Sequence, residues 1–512
     1  MAAAKDLVLG CDFGTSSLKA ALFDRHGTVV ASRKVAYDSY RPAPGWVEQR
    51  PEDWWQAFRD AARELLRQEA AARVGAIGIA AQMAGAVAVD EAGQSLGNAL
   101  IWLDTRSEAI ARRITDGPIR IGGYGLASLA RWLWLTNGAP NRHGRDPATK
   151  YLWLREQRPE LWARLGKLLD VKDYLVCRAT GRAATTADCA HLTWLMDSRR
   201  GHRAWSPRLI AHLGLSPALL PEIVPSTAAV GGLTGEAAAA LGLEAGTPVA
   251  GGAGDLTAFA LGAGRLSTGA LHLQIGTSAW WGCHLAGRRV DPRSGIATIA
   301  SAHPTLNLLV AAQETAGAAV EWAARALGFT RHGTADLEAF DRAAAAAAPG
   351  AQAPLFFPWL TGERVPVDDP ELRGGFAGLE LAHDRSALAR AVLEGVGFNA
   401  RWALAGIERL GGGDGAARFL GGGAASAVWG QLLADLLQRP LEVVEAPALG
   451  GARGAAMTAA VAAGWFADLE TATAMSRVAR RFEPDPAQAV YYETRFRRFR
   501  AQHKHMRRQP PD

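Results

Sequence analysis

The sequence predicts an α/β protein built from two domains, and three observations predict it. The chain has 512 residues, more than one hydrophobic core usually covers, so two domains of about 250 residues each are expected. Apolar strands alternate with amphipathic helices along most of the chain, which is typical of α/β folds. Finally, a strand, a Gly-Thr-Ser turn and a second strand occur at the N-terminus and again near mid-chain. This repetition indicates two similarly built halves.

The first half begins with three predicted strands and a helix. Residues 7–11, 18–23 and 29–31 are apolar segments separated by polar turns, which predicts a meander of strands. A helix is expected from Pro51, since proline favours the first helical position and Trp54 and Phe58 follow at helical spacing. A buried strand is expected over residues 76–80. The turn after the first strand is unusual, because a carboxylate, Asp12, is followed closely by glycine and three hydroxyls.

The second half opens with the same kind of hairpin. Residues 271–281 read as strand, Gly-Thr-Ser turn and strand, and aligning the two turns places Gln274 where Asp12 stood. Glycine-rich turns present backbone N–H groups, and hydroxyls add donors, so two such turns across a cleft predict a polyphosphate site. Because only the first copy carries an aspartate, a magnesium ion is expected at Asp12.

A third glycine cluster follows a short strand near the end of the chain. Residues 421–424 are Gly-Gly-Gly-Ala, and an amphipathic helix comes next. One hypothesis is a shelf for the adenosine of a mononucleotide. The alternative is a dinucleotide site, with Ser426 in place of the third small residue and Glu442 as the ribose-binding acid. The dinucleotide hypothesis leaves both Gly-Thr-Ser hairpins unexplained.

Asp255 follows a glycine run between the two halves. A strand is expected over residues 248–250, and an aspartate in such a position is typically a helix N-cap. It also precedes the second hairpin, at the predicted hinge between the halves. A carboxylate there can accept the proton of a hydroxyl that attacks a γ-phosphate. The two roles are compatible, and we predict both for Asp255.

Charge and cysteine usage predict a cytoplasmic protein that binds neither nucleic acid nor membrane. The net charge is +6, but the basic residues are spread along the chain. The densest basic run, residues 495–500 with Arg507 and Arg508, predicts the solvated face of a terminal helix. The four cysteines lie far apart without a C-x-x-C pair, which fits a reducing compartment. Neither a signal-peptide pattern nor a charge-free apolar stretch of membrane-spanning length is found.

Taken in order, the motifs resemble those of the FGGY carbohydrate kinases, within the sugar kinase, actin and heat-shock ATPase superfamily. The resemblance covers almost the whole chain and is strongest to the xylulokinase branch, particularly at residues 45–49 and 421–426. Each motif is weakly specific alone, but their joint order is highly specific. The matching segments are residues 12–17 with Lys19, 45–49, 51–55, 150–153, 254–255, 262–264, 276–278, 375–379 with Glu394, 421–424 and 451–456.

The resemblance implies two ribonuclease-H-like domains, residues 1–262 and 263–512, with ATP and sugar in a deep cleft between them. It implies an enzyme that transfers the γ-phosphoryl of ATP to a ketose, converting D-xylulose to D-xylulose 5-phosphate. Asp255 would be the catalytic base and Asp12 would bind Mg²⁺. Dimers are common in the family, so a homodimer is one expected state. The residues expected around ATP are Gly14, Thr15, Ser16, Ser17, Lys19, Gly276, Thr277, Ser278, Gly317, Gly421, Gly422, Gly423 and Ala424.

The predicted sugar site departs from the family pattern at two positions. Xylulokinases typically carry Gln-Met-His-Gly where residues 82–85 are Gln-Met-Ala-Gly, and asparagine where this chain has Leu256. Both changes replace a polar sugar contact with an apolar group, so altered specificity is expected. Trp102, Asp104 and Arg106 either compensate or form a strand end with one solvated ion pair. The residues that the resemblance assigns to the sugar are Gln82, Met83, Ala84, Trp102, Asp104 and Asp255.

Three hypotheses about function remain. The chain is a xylulose kinase, an FGGY kinase for another ketose or polyol of ribulose, erythritol or glycerol type, or a non-catalytic actin-like protein that binds sugar and nucleotide. The presence of Asp255 together with all three nucleotide segments favours a kinase.

Overall fold

The computed structural model describes residues 5–68, 71–291, 294–347, 350, 353–413 and 415–506. The first half contains the strands and the helix predicted from its sequence. Its strands are β1 Leu7–Phe13, β2 Ser17–Asp24, β3 Val29–Ala36, β4 Glu48–Gln49, β5 Val74–Ala81, β6 Val87–Val89, β7 Ala99–Leu100, β8 Arg120–Ile121, β9 Tyr124–Gly125, β10 Lys167–Leu169, β11 Ala184–Thr186, β12 Met196–Asp197, β13 Ala204–Trp205, β14 Glu222–Val224, β15 Ala229–Gly232, β16 Pro248–Ala250 and β17 Ala253–Gly254. Its helices are α1 Pro51–Gln68, α2 Glu108–Thr115, α3 Leu126–Thr136, α4 Pro147–Gln157, α5 Pro159–Trp162, α6 Val171–Thr180, α7 Ala187–Leu192, α8 Pro207–His212, α9 Gly235–Leu241 and α10 Asp255–Gly262.

The second half opens with the predicted hairpin and continues as an α/β arrangement. Its strands are β18 Leu271–Ile275, β19 Ala279–Leu285, β20 Val290–Asp291, β21 Ile296–Ala300, β22 Asn307–Gln313, β23 Thr330–Arg331, β24 Thr334–Ala335, β25 Leu355–Phe357, β26 Gly375–Ala377, β27 Ala417–Leu420, β28 Leu441–Val444 and β29 Val478–Phe482. Its helices are α11 Gly317–Ala326, α12 Leu337–Ala346, α13 Arg385–Arg409, α14 Ala427–Leu437, α15 Gly450–Ala462, α16 Leu469–Ala472 and α17 Ala489–Met506.

The main sheet of the first half is mixed, with strand order β15-β16-β5-β1-β2-β3 and β17 paired to β5. Strand β1 is antiparallel to β2 and parallel to β5, and its residues are all buried. Successive side chains of a strand point to opposite faces. Leu9 and Phe13 therefore pack in the same core as Trp54 of α1, whereas Val8 packs with Ala452 of α15 on the other face.

The main sheet of the second half has the order β20-β21-β22-β19-β18-β27-β28-β29. One of its faces is covered by the long helix α13 and by α17, whose Phe499 packs with Phe357 and Phe398. Trp280 and Leu420 belong instead to a separate apolar cluster that also contains Met83 and Phe259 from the first half. This second cluster joins the two halves.

Helix α15 crosses from the second half onto the first sheet. A Cβ atom on Gly10 of β1 would lie 2.1 Å from the carbonyl oxygen of Ala452, and one on Gly454 would lie 1.8 Å from the carbonyl oxygen of Ala258 in α10. No side chain fits at such distances, so glycine permits the backbones to touch. The crossing brings the first turn of α15 next to the C-terminal end of β1, where Asp12 lies.

Two expectations about local structure need correction. Gly254, rather than Asp255, is the N-cap of α10, and Asp255 is the first helical residue. Arg495 in the basic run is not solvated, because it is 1% exposed and is paired with the buried carboxylate of Glu394 at 2.8 Å. Arg497, Arg498 and Arg500 are exposed as expected, while Arg507 and Arg508 lie outside the described residues. None of the described helices has both the length and the apolar content to cross a bilayer.

Candidate active site

The first Gly-Thr-Ser turn is held rigidly at the end of β1. Its loop closes through a hydrogen bond from the Gly14 amide to the carbonyl oxygen of Ser17, at 3.1 Å. Tyr37 stabilises the turn through two hydrogen bonds. Its hydroxyl donates to the carbonyl oxygen of Gly14, and its amide donates to the carbonyl oxygen of Ser16. Lys19 lies opposite Asp12 in the register of β1 and β2. The turn is therefore a preformed loop that carries hydroxyls and has a cation beside it.

The second turn, with Gly276, Thr277 and Ser278, is capped by the start of α11. The Gly317 amide donates to the carbonyl oxygen of Gly276 at 2.9 Å, and the Ala318 amide donates to that of Thr277 at 3.0 Å. A Cβ atom on Gly317 would lie 2.3 Å from the carbonyl oxygen of Gly276, so only glycine fits there. The second turn and the start of α11 thus form one continuous surface.

The glycine cluster over residues 421–424 borders this second turn. Gly421 has φ +88°, and a Cβ atom on it would lie 2.2 Å from the carbonyl oxygen of Ile275. A Cβ atom on Gly423 would lie 2.9 Å from the side chain of Ile275, and Ala424 is fully buried. Gly422 has no neighbour within 4 Å of its Cβ position, so it keeps an open face. The structure therefore brings together the residues expected around the ribose and adenine.

Asp12 is buried where β1, the first turn and α15 meet. A Cβ atom on Gly451 would lie 2.4 Å from Asp12 Oδ2, so the carboxylate rests against the bare backbone of α15. Its Oδ1 has no hydrogen-bond partner among the described residues. Burial raises the pKa of Asp12 to about 6, and the charge of Lys19 opposes that shift. A buried carboxylate with an unused oxygen suits a hard cation such as Mg²⁺.

Asp255 begins helix α10 and is half-buried. Its Oδ1 accepts a hydrogen bond from the amide of Leu256 at 2.8 Å. Burial, together with a smaller repulsion from the carboxylate of Asp12, raises the pKa of Asp255 to about 7. A carboxylate with a pKa near neutrality can take up a proton during a reaction and release it afterwards.

The loop over residues 82–85 contacts the segment that carries Asp255. A Cβ atom on Gly254 would lie 2.3 Å from the sulfur of Met83, so the loop packs directly on the residue before Asp255. The Gln82 side-chain amide donates to Gln49 Oε1 at 2.6 Å, and its own Oε1 is buried without a partner among the described residues. That oxygen is free to accept a hydrogen bond from a bound hydroxyl.

Two buried charges shape this loop. Ala84 adopts φ +63°, a left-handed conformation that is uncommon for alanine. The carboxylate of Asp170 accepts hydrogen bonds from the amides of Ala84 at 3.1 Å and Gly85 at 2.8 Å. The ammonium of Lys150 donates to the carbonyl oxygen of Ala84 at 2.9 Å. These bonds hold the turn in its strained form, so the Ala84 methyl group has a fixed position.

The three compensating candidates are all held by neighbouring residues. Trp102 donates its indole N–H to the Thr15 hydroxyl at 2.9 Å, which links it to the first turn. Asp104 accepts a bond from the Val47 amide at 2.6 Å and pairs with Arg106 at 2.8 Å. Arg106 also lies 3.9 Å above the ring of Trp46. The alternative of a solvated ion pair is wrong, because the Asp104 and Arg106 side chains are 0% and 2% exposed.

Four residues that shape the site received no role in it from the sequence, although Lys150 and Gly451 lie in segments that match the family. Lys150, Asp170 and Asp188 are buried, and Gly451 supports Asp12. The available signal was a charged residue flanked by apolar ones, as at Asp170 between Leu169 and Val171. Buried charges of this kind are rare unless they are paired, so they indicate a polar network. Glu442, the acid required by the dinucleotide hypothesis, is instead paired with Arg481 at 2.7 Å and Arg418 at 3.3 Å.

Comparison with known proteins finds similar sequences and structures over nearly the whole length of the chain. The model for the FGGY family of carbohydrate kinases, N-terminal domain, matches residues 7–262, and the C-terminal domain model matches residues 272–463. The xylulose kinase of Escherichia coli strain K12 is 31% identical over 499 residues, covering 96% of this chain and 98% of that protein. The gluconokinase of Bacillus subtilis strain 168 is 27% identical over 450 residues, covering 86% and 84%. The crystal structure of a xyloylose kinase from Brucella ovis superposes with a TM-score of 0.85 at 32% identity, covering 98% of this chain and 99% of that one.

Proposed function

Because this chain belongs to the FGGY family of carbohydrate kinases, which are ATP-dependent phosphotransferases, we propose that its acceptor is a ketose, with D-xylulose the first candidate. The two-domain α/β fold of the family is confirmed, and the dinucleotide hypothesis is wrong. The products would be D-xylulose 5-phosphate and ADP. The observation that carries the proposal is the packing of the loop over residues 82–85 on Gly254, next to Asp255.

The proposed reaction uses Asp255 as the base. Its carboxylate accepts the proton of the 5-hydroxyl group while the hydroxyl oxygen attacks the γ-phosphorus of ATP. The bond from the γ-phosphorus to the oxygen that bridges it to the β-phosphorus breaks, and ADP leaves. Asp255 suits this step, because a pKa of about 7 leaves much of it ionised at neutral pH. The turns at residues 14–17 and 276–278 would hold the phosphates through backbone amides and hydroxyls.

Asp12 is the residue that we propose for Mg²⁺. Its unpartnered Oδ1 and its place next to the first turn support this assignment. The ion, when bound with ATP, supplies positive charge against the phosphate oxygens. Lys19, on the neighbouring strand, would add positive charge on the same side of the site.

The polar groups of the sugar site favour a neutral acceptor. Gln82 Oε1 is available to a sugar hydroxyl, while Ala84 and Leu256 offer only apolar surface. Two cations of this region are already bonded, Lys150 to the carbonyl oxygen of Ala84 and Arg106 to Asp104. A sugar acid would therefore find neither of them free to pair with its carboxylate. Gluconate remains the second candidate, because a Bacillus subtilis gluconokinase is among the relatives.

A panel of acceptors tests the proposal through ADP release. D-xylulose is expected to raise ADP release well above the rate with ATP alone, and ribulose, erythritol, glycerol and gluconate less so. The Ala84→His variant should change the ratio of kcat/KM between these acceptors, since it adds a donor at a fixed position beside the sugar. Unchanged ratios would show that residue 84 does not touch the acceptor. If no acceptor raised ADP release, the proposed function would be wrong.

A further inference from the structure

The helix that supports the start of α10 is the short helix α7, which carries Asp188. This side chain is completely buried, and its Oδ2 accepts a hydrogen bond from the Gly254 amide at 2.7 Å. The same oxygen accepts a bond from the hydroxyl of Thr257, which is also fully buried. Asp188 thus binds the residue before Asp255 and the residue two after it.

The rest of the Asp188 carboxylate is also engaged, and by neutral donors. Its Oδ1 accepts a hydrogen bond from the Thr186 hydroxyl at 2.5 Å. A buried carboxylate without a directly bound cation is costly to a fold, although charge-assisted hydrogen bonds reduce the cost. The charge is directed at the first turn of α10, where a neutral acceptor would satisfy the same backbone amide. We infer that this placement serves the position of Asp255.

Helix α7 also contacts the second half of the molecule. His191, three residues after Asp188, accepts a hydrogen bond at Nδ1 from the amide of Ala300 in β21, at 2.7 Å. Its Nε2 then carries the proton and donates to the carbonyl oxygen of Thr136 at 2.6 Å. Burial lowers the pKa of His191 to about 4, so the ring stays neutral and keeps this pair of bonds.

We propose that Asp188 is a positioning residue that fixes the first turn of α10, and with it Asp255, and that His191 ties this arrangement to β21. The proposal rests on the role given to Asp255 under the proposed function. It assigns α7 the role of keeping Asp255 at a fixed position relative to the second half of the molecule, which contains the turn at residues 276–278. A base that moves by about 1 Å can lose a factor of 100 in rate.

The test changes Thr257, because it removes one partner of Asp188 and leaves all carboxylates in place. Thr257→Val should lower kcat about tenfold, with the KM for the sugar changed less than twofold, since the loss affects base geometry rather than binding. Thr257→Ser keeps the hydroxyl and should restore kcat to within about twofold. The control is Thr115→Val, which removes a buried hydroxyl whose partners among the described residues are carbonyl oxygens of its own helix. That control should keep the wild-type kcat.

A second measurement does not depend on the acceptor. Hydrogen exchange in the peptide covering residues 253–262 should be at least about tenfold faster in Thr257→Val than in the wild type, with other peptides unchanged. If the wild type turned over no sugar, the proposed function would fail while this comparison still tested Asp188. If the wild type were active and Thr257→Val matched it in both kcat and exchange, only the inference about Asp188 would fail.

The role of His191 is tested by combining a substitution at His191 with the substitution at Thr257. His191→Leu should also lower kcat, and the double variant with Thr257→Val should lose less than the product of the two single losses, because both act on one arrangement. Losses that multiply would overturn the part of the proposal that concerns His191.

Discussion

The substitution Gly451→Ala tests whether the position of Asp12 depends on the bare backbone of α15. The new Cβ atom would lie 2.4 Å from Asp12 Oδ2, 2.6 Å from its Cγ and 3.0 Å from the ring of Phe259. Since Cβ atoms essentially never approach other heavy atoms within 3.0 Å, the carboxylate must move by about 0.6 Å or more. Misplacement of about 1 Å can cost a factor of 100 in rate, so we expect kcat to fall at least about tenfold.

The stability of the variant distinguishes this effect from misfolding. Alanine is better than glycine in a helix by about 1 kcal/mol, which offsets part of the strain at the new contact. We therefore expect Tm to change by only a few degrees while sugar-dependent ADP release falls. Gly235→Ala is the matched control, because Gly235 begins α9 and has no neighbour within 4 Å of its Cβ position. Wild-type kcat in Gly451→Ala would refute the idea that this contact positions Asp12.

Three further predictions concern ionisation and buried charge. Because the role proposed for Asp255 requires its carboxylate form, and its pKa is raised to about 7, kcat/KM for the sugar should fall as pH drops below about 7, which a pH–rate profile measures. Asp255→Asn should raise Tm at pH 8 by a few degrees, because a raised pKa makes the ionised carboxylate unfavourable to the fold at high pH; the gain should shrink as the pH falls below about 7 and vanish below the unfolded-state pKa of 3.8, where folded and unfolded wild type are both protonated. Arg495→Ala should lower the free energy of unfolding by about 3–5 kcal/mol in urea, since it leaves the buried Glu394 without this partner, whereas the exposed Arg497→Ala should lower it by no more than about 1 kcal/mol. Equal losses in the two arginine variants would contradict the assignment of Arg495 to the interior.

The hairpins were predictable because their signals are local. A run of apolar residues, a glycine and a set of hydroxyls within about ten positions describe β1 with β2, and the same pattern describes β18 with β19. Pro51 likewise marked the start of α1. The family resemblance rested on the order of such local motifs, and for that reason it was recovered from the sequence alone.

Contacts between distant segments were not predictable in the same way. The residues near Gly10 in the sequence do not indicate that α15 packs on it, because Ala452, the residue it contacts, lies more than 400 positions away. Arg495 resembled its exposed neighbours in the basic run, and only its position on the inner face of α17 buries it. For the same reason the sequence left open whether Asp104 and Arg106 form a solvated pair, since the covering ring of Trp46 comes from another segment.

The central claim is that Asp255 promotes transfer of the γ-phosphoryl of ATP to a ketose hydroxyl. The most direct measurement is phosphorus NMR of ATP incubated with D-xylulose and wild-type, Asp255→Asn or Asp60→Asn protein, the last being an exposed aspartate on α1 as the control. We predict equal amounts of ADP and a sugar phosphate monoester with the wild type and the control, and neither above background with Asp255→Asn. Release of inorganic phosphate in place of the ester, or full activity of Asp255→Asn, would contradict the claim.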